Sequence, residues 1–191
     1  MKRKLDLNIN NTFRSANLNF INFKDYGKIN KNDMDYDVTK KYIIYADDIS
    51  FNFLEKLCKD LYEYIIITSK PIPTYLLFDI GSNNNASILY NIKEFSDIGD
   101  LVDNITLCSK TVSCGLYYKV NSKISITDLF FNIYKLKYIL DRIVIDCEST
   151  NLKIQIYRYV YEVLARWRVQ LWFNCTDKEE KYLDEHYEEF E

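Results

Sequence analysis

The chain is short of the residues that build tight turns and of the one most used as a general base. Its 191 residues include four glycines, two prolines and a single histidine, His186. With so few glycines it holds neither G-x-G-x-x-G nor a Walker loop, which leaves nucleotide binding little support. One histidine gives a Ser-His-Asp triad one candidate base. That residue sits in the acidic tail "TDKEEKYLDEHYEEFE", which reads as partly helical and solvated. The five cysteines (Cys58, Cys108, Cys114, Cys147, Cys175) show no C-x-x-C spacing. Clustered metal ligation is therefore not expected, and an odd count without a secretory signal points to reduced thiols. No apolar run approaches the roughly 20 residues of a membrane span. The start "MKRKLDLNINNTFR" lacks the apolar core of a signal peptide. A net charge of −3 without a basic face argues against nucleic acid as a partner.

Aromatic residues are abundant: 17 Tyr and 11 Phe. Asn, Ile and Lys are also frequent and Ala is scarce, the mark of drift towards A+T-rich codons. The apolar fraction of 48% against 28% charged residues describes a globular chain. Its length suits one domain with a real core.

Residues 1–40 read as a poorly ordered amino-terminal arm, and 41–191 as a single α/β domain. "KYIIYADD" contains a buried strand over 42–45. Phe51, Leu54, Leu57, Cys58 and Leu61 follow at helical spacing behind Ser50, a good N-cap. "YIIITS" either extends that helix or forms an edge strand. "TYLLFDI" reads as a second central strand, "GSNNNASILYNIKEF" as a helix and "NITLCS" as a third strand. This alternation implies βαβ units on a mostly parallel sheet. "ISITDLFFNIYKLKYI" fits strand or helix, and "DRIVIDC" is strand-like. "TNLKIQIYRYVYEVLARWRVQLWF" is a long helical pattern with Thr150 as N-cap.

Three places offer chemistry. "TVSCG" is half of a G-x-S-x-G elbow, with Thr111 where the first glycine belongs and Ser113 as candidate nucleophile. Read alone, it is better explained as close packing of strand and helix. "FDIGSNNNAS" joins a strand end to a helix start, where free N–H groups around Gly81 could face an oxyanion or an anion. Carboxylate pairs such as Asp47–Asp48 read as solvated surface.

Taken in order, "IIYADDISFNFLEKL", "YLLFDIGSNN", "ILYNIKEF" and "TLCSKTVSCGLYYKV" resemble the Clp protease proteolytic subunit family, especially its plastid-encoded form. The resemblance spans about residues 42–190 and rests on segment order with few identities. It implies a ClpP/crotonase-like spiral of βαβ units with a protruding long helix. It places Ser113 on the nucleophile and Gly81 on the oxyanion loop. The family's histidine position falls on Tyr134 or Lys135, and its aspartate on Glu188, Glu189 or Asp184. A serine without histidine, beside a loop that has lost its second glycine, implies a degraded triad. Removing one oxyanion donor alone costs about 3–4 kcal/mol of transition-state stabilisation. The expectation is a structural or weakly active subunit of an ATP-dependent Clp-type serine protease core. Such a subunit would form homo- or hetero-oligomeric rings with Clp subunits, partner an AAA+ Clp chaperone and act on polypeptide substrates. It would reside in the plastid stroma, or alternatively the cytoplasm. No cofactor and no metal are expected. The competing reading is a non-enzymatic α/β interaction protein from an A+T-rich viral or organelle genome. A crotonase-type fold acting on acyl-CoA is a third, but it should carry a carboxylate near the turn after "LCSK".

Overall fold

The computed structural model describes residues 18–91, 97–120, 134–136, 138–157 and 169–186. Its framework is one parallel sheet of eight strands: β1 (Leu18–Ile21), β2 (Gly27–Ile29), β3 (Tyr42–Tyr45), β4 (Tyr64–Thr68), β5 (Ala86–Asn91), β6 (Ser113–Lys119), β7 (Arg142–Asp146) and β8 (Gln170–Asn174). Their spatial order is β1-β8-β7-β6-β5-β4-β3-β2. The α/β class is therefore shown. From β2 to β8 each strand lies beside its predecessor, so right-handed crossovers put the helices on one face.

The sheet cannot be flat. β1 and β2 occupy opposite edges, seven strand spacings of about 4.8 Å, or roughly 34 Å, apart along a flat sheet. The chain has only the step from Ile21 to Gly27 to join them, a reach of roughly 21 Å at about 3.5 Å per residue. The sheet must curl until its edges approach, with residues 18–29 as the seam. The packing agrees. Phe23, in a 3-10 turn just after β1, stacks on Tyr117 of β6 with ring centroids 6.0 Å apart. It joins an inner cluster with Ile43, Ile65, Ile67, Leu89 and Val144. The larger cluster lies outside the curl, between sheet and helices, and includes Ile44, Ile66, Ile88, Leu116, Ile145 and Phe173. Inward and outward residues alternate along each strand, as the pleat requires.

The helices are α1 (Phe51–Asp60), α2 (Thr74–Gly81), α3 (Asp97–Cys108), α4 (150–157) and α5 (Asp177–His186). Ser50 caps α1 by accepting from the Phe53 N–H, as expected. The expected strand at 42–45 is β3, and "YIIITS" resolves as the strand β4, which lies inside the sheet between β3 and β5 rather than at its edge.

Other elements differ from the sequence reading. Part of the expected arm is in the sheet, as β1 and β2. "TYLLFDI" is helix α2, not a strand. Its inner face carries Leu76, Leu77 and Ile80, but exposed Tyr75 and Phe78 fill the other face and hide the 3.6-residue period. "ASILYN" is strand β5, apolar on both sides because both are covered. "NITLCS" lies in α3, whose buried Leu101, Ile105 and Cys108 keep helical spacing. The N-cap of α4 is Ser149 rather than Thr150, since the Leu152 N–H donates to the Ser149 hydroxyl. Residues 158–168 of the expected long helix lie outside the described residues, and its last four, 170–173, belong to strand β8, where apolar residues covered on both sides hide the alternation.

Candidate functional site at the mouth of the curled sheet

Parallel strands all end on the same side, so their last inward-facing side chains meet around one opening. Here these are Tyr45 of β3, Asn91 of β5, Lys119 of β6, Asp146 of β7 and Asn174 of β8. They line a cleft of about 500 Å³, joined by Lys24 and Lys28 from the seam. In β/α barrels, and in open α/β sheets, this C-terminal end is where ligands and catalytic groups gather.

Asp146, half-buried in the lining of this cleft, is held by two hydrogen bonds. The Tyr117 hydroxyl donates to its Oδ2 at 2.6 Å, and the Asn174 amide donates to its Oδ1 at 2.8 Å. Asn174 is itself oriented, because its Oδ1 accepts the Phe23 N–H at 3.0 Å. The seam, β6, β7 and β8 thus fix one carboxylate through one hydrogen-bond chain. Burial, reinforced by the hydrogen bond to Asp146 and its charge, drives the Tyr117 phenol well above its ordinary pKa. Burial and then the Asp146 charge also raise that of Tyr45. Both phenols therefore stay neutral donors at physiological pH.

One wall is built around a buried ammonium. Lys153 of α4 is only 1% exposed and pairs with Glu179 at 3.1 Å. Its Nζ also lies 3.4 Å from Cys175 Sγ. Glu179 belongs to a capping box: the Thr176 N–H donates to Glu179 Oε2 and the Glu179 N–H donates to the Thr176 hydroxyl. Burial opposes the Glu179 charge, but hydrogen bonds from Thr176 and Lys153 outweigh it and hold the carboxyl below its ordinary pKa. The Cys175 thiol is pushed up to about 11, chiefly by burial, so it is no ready thiolate.

Ser113 and Gly81 lie at the opposite end. Ser113 heads strand β6, and its Oγ accepts from Arg142 Nη2 at 2.7 Å. Arg142, first residue of β7, stacks 5.3 Å from the Trp172 ring. The Ser113 hydroxyl faces a guanidinium, and among the described residues no hydrogen bond joins it to a base; the nearby Asp141 carboxylate accepts instead from the Cys114 N–H. Gly81 ends α2, where a helix presents carbonyls, the wrong polarity for an oxyanion. A Cβ on Gly81 would come within 2.5 Å of the Thr111 carbonyl oxygen. Gly115 is similar, because a Cβ there would strike the Arg142 carbonyl. The glycines let backbones pass closely.

Tyr134 and Lys135, the substitutes for the missing histidine, are exposed. The side chains of Asp184 and His186 lie outside the described residues, as do Glu188 and Glu189. Asp47 is not simply solvated, since its carboxylate accepts from the Thr68 hydroxyl and the Ser69 N–H. Among the described residues no His/Cys/Asp/Glu group is placed to hold a metal ion. No described helix is long and apolar enough to cross a membrane.

Comparison with family models, with curated proteins and with solved structures gave no match.

The mouth residues were missed in the sequence although they carry a common signature. "ASILYN", "GLYYK", "RIVID" and "QLWFN" are apolar strands that each end on a polar residue: Asn91, Lys119, Asp146, Asn174. Recognising the signature required β5 and β6 to be read as strands.

Proposed function

We propose that the chain binds a small polar molecule in the mouth of its curled sheet, with Asp146 as the central acceptor. The observation that carries this reading is the oriented carboxylate: two donors from two different strands fix Asp146 in the lining of an open cleft. Among the described residues Asp146 is fixed by Tyr117 and Asn174 and enters no ion pair, which leaves its charge available to a ligand. Each oxygen accepts one of these hydrogen bonds and, among the described residues, no other. The same group is placed to act as a general base on a bound hydroxyl or amine. The experiment is a thermal-shift screen of small polar metabolites. At least one compound should raise Tm, with the shift lost in Asp146→Asn. Shifts that all persist in that variant would put the ligand elsewhere and overturn the reading.

The Clp-core reading, with its spiral fold and ring assembly, is a second proposal. Its support is the order of segments, while the element types along that order differ at three of them. Fluorophosphonate labelling tests it: labelling lost in Ser113→Ala would mark an active serine hydrolase, and an unlabelled chain that enters Clp rings would mark a structural subunit.

A further inference from the structure

Four lysines line the mouth: Lys24, Lys28, Lys119 and Lys153. Lys153 is neutralised by Glu179. Among the described residues, no ion pair involves Lys24, Lys28 or Lys119. The three are exposed, and they come from two walls. Lys28 lies on β2 and Lys24 precedes it on the seam, while Lys119 ends β6, four places from β2 in the curled sheet. Lys119 is also the register partner of Asp146. The carboxylates of the cleft are Asp146, Glu148 and Glu179, so four ammonium groups face three carboxylates in a chain of net charge −3. The opening thus carries a small excess of positive charge in an acidic protein, which favours the approach of an anion.

We propose that the mouth recognises its ligand by an oxyanion group, phosphate or carboxylate, held between Lys28 and Lys119 with Lys24 at the rim. A hydroxyl or amine of the same molecule donates to Asp146. This inference rests on the mouth being the binding site, and adds the chemical class of what enters it.

Titration calorimetry at low salt with inorganic pyrophosphate and, separately, citrate tests the inference and distinguishes the two oxyanions. At least one should bind. Affinity should fall by roughly tenfold or more in the Lys28→Ala/Lys119→Ala double variant and decline as salt is added. A Lys59→Ala/Lys181→Ala control should bind like the wild type. Failure of both probes, or equal binding by the double variant, overturns the inference. A neutral metabolite lost in Asp146→Asn but retained in the double lysine variant would also overturn it, while leaving the mouth itself as the site.

Discussion

The two ends of the curled sheet use polar residues in opposite ways. At the amino-terminal end, Ser113, Arg142 and Trp172 lock onto one another, and Gly115 lets the β7 backbone pass close by. Polar groups there serve neighbouring strands. At the carboxy-terminal end, Asp146 is oriented while its surroundings stay open, and three lysines stand without carboxylate partners among the described residues. On the proposed reading, the difference separates residues that hold a fold from residues that await a ligand, and the serine–glycine motif belongs to the first group.

Substitutions can sharpen or break this division. The largest stability effect should come from the wall of the mouth that holds Lys153. Glu179→Ala leaves the buried Lys153 ammonium without its partner and should cost about 3 kcal/mol in urea unfolding. Lys153→Met removes the buried charge itself and should cost much less; equal losses would mean the pair does not behave as a buried ion pair. Next, Gly115→Ala forces a methyl against the Arg142 carbonyl and should destabilise by about 1–3 kcal/mol, with a lower Tm. A neutral result would deny the close packing at the amino-terminal end.

Smaller effects should divide the ends by kind. Tyr117→Phe removes one donor to Asp146 and should cost about 1 kcal/mol while weakening ligand binding. Ser113→Ala should cost about as much and leave ligand binding intact. Acid should act through Glu179. Its folded-state pKa is depressed, so its contribution is present above the ordinary carboxylate pKa and is lost as pH falls through the lower folded value. Acid unfolding of Glu179→Gln should therefore be shallower than that of the wild type below about pH 4.3.

Legibility in the sequence followed how much one face of each element differs from the other. Helix α1 was readable because Ser50 caps it and Leu54, Leu57 and Cys58 are buried at the expected spacing, although Phe51, counted on that face, is exposed and Phe53 is buried instead. β3 and β7 were readable as short apolar runs. α2 was not, because Tyr75 and Phe78 stay exposed on its outer face. β5 was not, because a strand covered on both sides has no alternation. Mistaking these two elements moved the apparent strand ends. The seam was hidden for another reason: the pairing of β1 with β8, across some 150 residues of sequence, leaves no local pattern.

The most direct test is chemical-shift mapping of the backbone amides with a compound that raises Tm. Shifts concentrated at Tyr117–Lys119, Asp146, Asn174 and the seam around Lys24 and Lys28 are the expected result. Shifts concentrated at Ser113, Gly81 and Arg142, with the mouth silent, would contradict the assignment of the site.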